Sequence, residues 1–219
     1  MNRSLFSRSE VPAEAPSVVS EEFRATTLRV FALVGESITG ATVALLSGDR
    51  DMAKQVVKQD EEIDHLVRSL IRQVESLLMA ADSPSVEDRK ELLTLLRILP
   101  EIERNGDLAE HIARRAARGL GAEMSPRSRG LVERMGEVCS AIWRAATDAI
   151  LDDRIDATSD IEDIDDEIDE LHVALTAELV SGSMSVPVAV EVAMTARFYE
   201  RFGDHCVNLA RRRVSPSNN

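Results

Sequence analysis

The chain has 219 residues, of which 30 % are charged and only 3 % aromatic, with 10 glycines and 7 prolines. This composition is typical of an all-α protein, because helix breakers and β-favouring rings are scarce. The net charge of −13 repels phosphate, so it excludes broad nucleic-acid binding and favours metal cations or basic protein surfaces as partners. Cys139 and Cys206 form no CxxC pattern, and we interpret them as buried side chains in a reducing compartment.

Residues 1–20 contain two prolines and no apolar stretch of signal-peptide length, so we expect a disordered N-terminal tail. The most apolar windows of the chain are interrupted by Glu36 and Glu191, and no transmembrane segment is therefore expected. Together these features favour a cytoplasmic protein.

Apolar residues at alternating steps of three and four predict three helices in the first half of the chain. The first covers about Glu21–Ser47, and Asp49 is placed to cap the second. Pro84 or a Ser85–Asp88 capping box starts the third, and Pro100 inside that helix is expected to kink it.

The second half repeats this plan. The phrase ERNGDLAEHIARR at 103–115 returns as ERFGDHCVNLARR at 200–212, and three more apolar stripes follow a Gly/Pro/Ser-rich linker at 119–126. A helix with one apolar stripe needs partners, and three helices make the smallest bundle. We therefore predict two tandem three-helix bundles related by internal duplication, residues 21–118 and 127–214.

Carboxylates recur four residues apart on the second and third helix of each half, so each pair lies on one helical face. Asp60 stands where the stripe of its helix requires an apolar residue, and Asp165 does the same in the second half. The four pairs are Asp60 and Asp64, Glu103 and Asp107, Asp165 and Asp169, and Glu200 and Asp204.

Like charges at the edge of a core need positive compensation, because unpaired buried carboxylates are very costly. A cluster made only of oxygen ligands suits a hard cation such as Mg²⁺, Mn²⁺ or Ca²⁺, or iron in a carboxylate-bridged site. The repeated pairs therefore favour one metal site in each bundle.

A metal-free helical adaptor is one alternative interpretation of the same acids. Acid pairs at this spacing are common on solvated helix faces, where salt bridges neutralise them. The arginines placed to do so are Arg104, Arg114, Arg201 and Arg211.

A ferritin-like carboxylate-bridged di-iron protein is the other alternative, and it requires a Glu-x-x-His on each of two helices. Glu62–His65 and Asp169–His172 approach that motif, but the repeat equivalent of His65 is Glu170. No nucleophile with its base, Walker lysine or Gly-rich phosphate loop is recognisable, so we do not expect an enzyme.

The repeated phrases, with DEEIDHL and DDEIDEL before them, resemble the paired signatures of the PhoU family of phosphate-signalling accessory proteins. The resemblance covers roughly Thr27 to Val214, with both halves in order. It implies tandem three-helix bundles whose E(D)xxxD motifs bind metal ions or small metal clusters. It thus assigns all four acid pairs to metal binding, with divalent or trivalent Mg, Mn, Fe or Zn as the candidate ions.

The resemblance also implies a cellular role, that of a negative regulator of the phosphate-starvation response. The implied partners are the ATPase subunit of a phosphate ABC transporter and a membrane sensor histidine kinase. Such partners would hold a cytoplasmic protein at the inner face of the membrane. A homodimer is a further possible assembly. Metal would fix the angle between paired helices, and the fixed surface would dock on these partners.

Overall fold

The computed structural model describes residues 19–80, 84–152 and 158–214, which form seven helices and no strand. The protein is therefore all-α, as predicted. The predicted tail 1–20 lies outside these residues except for Val19, which is buried, and Ser20, which caps the first helix. The helices are α1 Glu21–Ser47, α2 Arg50–Leu78, α3 Val86–Ala117, α4 Leu120–Glu123, α5 Pro126–Leu151, α6 Thr158–Val180 and α7 Val186–Val214.

Local capping signals set the beginnings of α2 and α3. The Asp49 carboxylate accepts hydrogen bonds from the backbone N–H groups of Asp51 and Met52. Ser85 and Asp88 form the full capping box, in which each side chain accepts from the backbone N–H of the other. The sequence predicted both caps, because a cap needs only residues within one turn. α3 continues through Pro100.

The six long helices form two groups of three that share one core. α1, α2 and α3 pack together, α5, α6 and α7 do the same, and the groups meet through α1 against α5 and α3 against α7. α2 and α6 therefore lie at the outer edges. The predicted linker 119–126 is not entirely a loop, because α4 occupies four of its residues and packs on α1, α3 and α7.

The contact between the two groups contains a buried ionic cluster that our sequence analysis missed. Glu101 on α3 is only 1 % exposed. Its carboxylate accepts a hydrogen bond from Arg104 at 2.7 Å and forms an ion pair with Arg212 at 2.8 Å. His205 Nδ1 on α7 lies 2.6 Å from the same carboxylate. Helical spacing could have indicated this burial, because Glu101 lies on a second buried face of α3. Residues of that face include Ile98, Glu101, Asn105, Leu108 and Ile112.

Two further hydrogen bonds cross between the groups. The hydroxyls of Thr42 on α1 and Tyr199 on α7 lie 2.8 Å apart, and Trp143 Nε1–H donates to the Phe31 carbonyl at 3.0 Å. These bonds satisfy polar groups that would otherwise be buried without a partner, which costs about 1–3 kcal/mol for each group. They therefore fix how one group lies on the other.

By length and apolarity alone, α1 is the one helix of the described chain that could cross a membrane. Half of its apolar window is buried inside the protein, and core helices pass the same test. Glu36 lies within this helix.

Candidate metal centre

Three of the predicted carboxylates converge between α2 and α3. Asp60, Asp64 and Asp107 each offer one oxygen, and these oxygens all lie within 4.8 Å of one another. The four-residue spacing puts the two α2 acids on one face. Gly106 then allows α3 to come close, since a Cβ at that position would lie only 3.0 Å from Asp60 Oδ1.

Asp60 is the acid whose surroundings most favour a bound cation. Its Oδ1 is buried and has no hydrogen-bond partner. Burial, together with the charges of Asp107 and Asp64, raises the pKa of Asp60 to about 7. A cation among these oxygens would supply the missing partner and offset the repulsion, so the donor set fits a hard metal ion.

Glu103 lies at the edge of this site rather than among the three converging oxygens. It neighbours Asp64, and burial followed by the charges of Asp64 and Asp107 raises its pKa. Asp107 is the most exposed of the converging three, and partial desolvation together with Asp64 raises its pKa. Glu110, which our sequence analysis did not include, is buried beside the site and adds to the negative field on Asp60.

The second half repeats the central contact of the first. Asp165 on α6 lies against Gly203 on α7, where a Cβ would overlap the Asp165 carboxylate. Burial raises the pKa of Asp165 to about 7, with Asp169 and Asp204 acting in the same direction. Both bundles therefore hold an aspartate at the core edge against a glycine of the neighbouring helix.

The second site is more open than the first. Asp169 and Asp204 are exposed, and within the described residues no three acids of this half converge as Asp60, Asp64 and Asp107 do. Glu200 is half-buried, its Oε2 has no hydrogen-bond partner, and burial raises its pKa. A polar cavity of about 400 Å³ lies beside Asp165 and Asp204. The second site therefore offers open space beside Asp165 and Asp204 and an unpartnered oxygen on Glu200, but no closed set of ligands.

Three of the four arginines proposed as salt-bridge partners form their ion pairs with other acids. Arg104 bonds Glu101, Arg114 bonds Glu110 and Arg211 bonds Glu162. Two other arginines do reach predicted acids. Arg68 lies 3.2 Å from Asp64, and Arg197 bonds Glu200.

The histidines required by a di-iron centre do not join the converging acids. His65 is exposed, and Glu62 is engaged with Arg29 on α1. His172 is half-buried and close enough to Glu200 to lower the pKa of that acid, but the described residues place no second histidine beside it. The arrangement therefore departs from the Glu-x-x-His pattern of ferritin-like proteins.

Fold and site together define a duplicated helical-bundle protein with carboxylate clusters on facing helices. The family model of the PhoU domain matches residues 27–116 and again residues 132–213. The chain therefore belongs to the PhoU family.

Named relatives and solved structures agree with this assignment. The phosphate-specific transport system accessory protein PhoU homolog 2 of Mycobacterium tuberculosis is 32% identical over 183 residues, which cover 82% of this chain and 85% of that protein. Homolog 1 of Mycobacterium leprae is 34% identical over 185 residues, covering 82% of each. The crystal structure of PhoU from Pseudomonas aeruginosa is similar at a TM-score of 0.80 and 27% identity, covering 89% of this chain and 94% of that one.

Proposed function

We propose that this protein is an accessory regulator of phosphate-specific transport that couples a phosphate ABC transporter to a sensor histidine kinase as a negative regulator. Support for the transport role comes from the family match and from the names of relatives that share about a third of its residues. The kinase and the direction of control rest on the resemblance alone. A regulatory rather than catalytic role, in the cytoplasm at the inner face of the membrane, follows from the same proposal.

The observation that carries the molecular part is the orphaned Asp60 oxygen among three converging carboxylates. Asp60, Asp64 and Asp107 would hold a divalent or trivalent ion such as Mg, Mn, Fe or Zn, with Glu103 beside them. Asp165, Asp169, Glu200 and Asp204 would hold the second. A bound ion supplies positive charge that neutralises the acids.

The ligands of each site come from two different helices, and this gives metal binding a structural consequence. α2 supplies Asp60 and Asp64 while α3 supplies Asp107, so a shared ion would link the helices where Gly106 lets them approach. The same holds for α6 and α7 around Gly203. Metal would thereby fix the outer faces of both bundles, which we propose as the surfaces presented to the transporter ATPase and the kinase.

A gene deletion tests the cellular role. Without the protein, phosphate-starvation genes should be expressed in phosphate-rich medium, because a negative regulator has been removed. Normal repression in a strain that lacks any second copy would contradict the proposal. Reintroducing the wild-type gene is the control, since it should restore repression.

Metal content tests the molecular part. Elemental analysis of protein purified without chelator should find metal, and chelator should lower the melting temperature, since an ion at a hundredfold excess over its Kd adds about 2.7 kcal/mol. Asp107→Asn should remove this response in the first bundle only, with Asp51→Asn as the matched control on an exposed acid outside both sites. A melting temperature that changes neither with chelator nor with added Mg²⁺, Mn²⁺ or Fe would favour the metal-free adaptor.

A further inference from the structure

An apolar groove runs between α1 and α5, away from both acid clusters. The two helices are antiparallel, since Trp143 bonds Phe31 while Ser140, earlier on α5, bonds Thr39, later on α1. Two adjoining cavities of about 670 and 420 Å³ make up the groove. Volumes of this order are typical of sites that hold a ligand or a few side chains.

The groove exposes apolar surface that the rest of the described protein leaves uncovered. Leu28 and Val43 both line it, and they are 46% and 47% exposed. They belong to α1, half of whose most apolar window is unburied. Removing such surface from water yields about 25 cal/mol for each Å². An occupant with large apolar side chains is therefore favoured.

The rim of the groove is mainly acidic. Glu36 and Asp148 line one cavity and Glu133 lines the other, and no described residue forms an ion pair with Glu36 or Asp148. The single cation of the shared wall, Arg144, donates from Nε to the Ser140 carbonyl. These charges favour an occupant that is basic as well as apolar.

The chain itself contains a segment of this description. Residues 1–9, MNRSLFSRS, place Leu5 and Phe6 between Arg3 and Arg8 and contain no acid, although the whole chain has a net charge of −13. They lie outside the residues described in the structure and outside the PhoU match, which starts at residue 27. The segment is complementary to the groove in both polarity and charge.

The connection is long enough for this segment to reach the groove of its own molecule. Thirteen residues separate Phe6 from the buried Val19, and they span at most roughly 43 Å. The far end of the groove, at Val43, is about 33 Å along α1 from its first residue. A short tether also gives a millimolar effective concentration, so weak contacts suffice for binding.

We propose that the Leu5–Phe6 pair binds in the α1–α5 groove of the same chain, with Arg3 and Arg8 facing the acidic rim. The inference is independent of the proposed function, since it involves neither the acid clusters nor phosphate.

The single tryptophan of the chain, Trp143, lines the groove and reports on its occupant. Replacing it with 5-fluorotryptophan gives one ¹⁹F signal in the full-length protein. Phe6→Ser should shift that signal, whereas Val11→Ser, the same kind of change outside the basic segment, should leave it in place. Neither change touches the described fold, so loss of folding does not confuse the result. An identical signal in all three proteins would overturn the proposal, and so would an equal shift from both substitutions.

A spin label on Ser7→Cys measures proximity directly. Cys139 and Cys206 are fully buried, so the new thiol is the one that reacts. The label should broaden the Trp143 signal, and Glu36→Arg should weaken the broadening unless Arg8→Glu is also present. A label that leaves Trp143 sharp overturns the proposal. Broadening of similar size in a mixture of labelled, fluorine-free protein with unlabelled, fluorinated protein also overturns it, because the segment would then bind a second copy.

Discussion

Gly203→Ala tests the close contact between α6 and α7. A Cβ at this position would overlap Asp165 Oδ1 and lie 2.8 Å from Ile168 Cδ1, so the two side chains on α6 must move. Overpacking of this kind costs about 1–3 kcal/mol, whereas alanine gains up to about 1 kcal/mol over glycine in a helix. We expect a net loss of about 1 kcal/mol.

Thermal unfolding in the presence of chelator measures this loss without a contribution from metal. A protein of this size should melt about 2–4 °C lower for 1 kcal/mol. Gly106→Ala is the matched control, because its Cβ would lie 3.0 Å from Asp60 Oδ1 and 3.3 Å from Ile63 Cγ2. Small shifts relieve that contact, and the gain in helix propensity should leave the melting temperature nearly unchanged.

A double substitution decides whether the Asp165 carboxylate causes the loss of stability in Gly203→Ala. Gly203→Ala should cost less in an Asp165→Ala background, because the overlapping oxygen is gone and only the contact with Ile168 remains. Equal effects of Gly203→Ala and Gly106→Ala would refute this reasoning. The reasoning would also be refuted if Gly203→Ala cost the same stability in the Asp165→Ala background as in the wild type.

Three further predictions concern groups inside the fold. Asp60 and Asp165 keep their protons up to about pH 7 in the folded state but lose them near 3.8 when unfolded, so metal-free stability should fall as pH rises between these values. The free energy of unfolding, measured with urea at pH 5, 6 and 7, should fall less steeply with pH for Asp60→Asn than for the wild type. An equal dependence on pH would contradict the raised pKa of Asp60. Glu101→Gln should lower the free energy of unfolding in urea by about 1.5–3 kcal/mol, because it removes the charge from a buried hydrogen-bonded cluster. A variant as stable as the wild type would show that this cluster does not stabilise the fold. Tyr199→Phe should cost about 1 kcal/mol through the lost bond to Thr42, and its unfolding midpoint provides the test.

The sequence alone determined the six long helices, because each signal acts within a turn or two of chain. Asp49 and the Ser85–Asp88 box lie within one turn of the N–H groups they cap, and apolar spacing marks the buried face of each helix. The same local rule placed the acid pairs on one face of their helices. Whether all four pairs bind metal stays a prediction.

Only the tertiary structure decided which acids meet. Asp107 joins Asp60 and Asp64 while Glu103 stays at the edge, since the crossing of α3 over α2 at Gly106 sets which oxygens face each other. The arginine partners likewise depend on neighbouring helices, and Arg211 reaches Glu162 on α6. Glu101 shows the same limit, because a charge is buried at that place only where α7 supplies His205 and Arg212. The spacing of residues along the sequence determines which face of a helix they share. Contacts between residues a hundred positions apart depend instead on how whole helices pack.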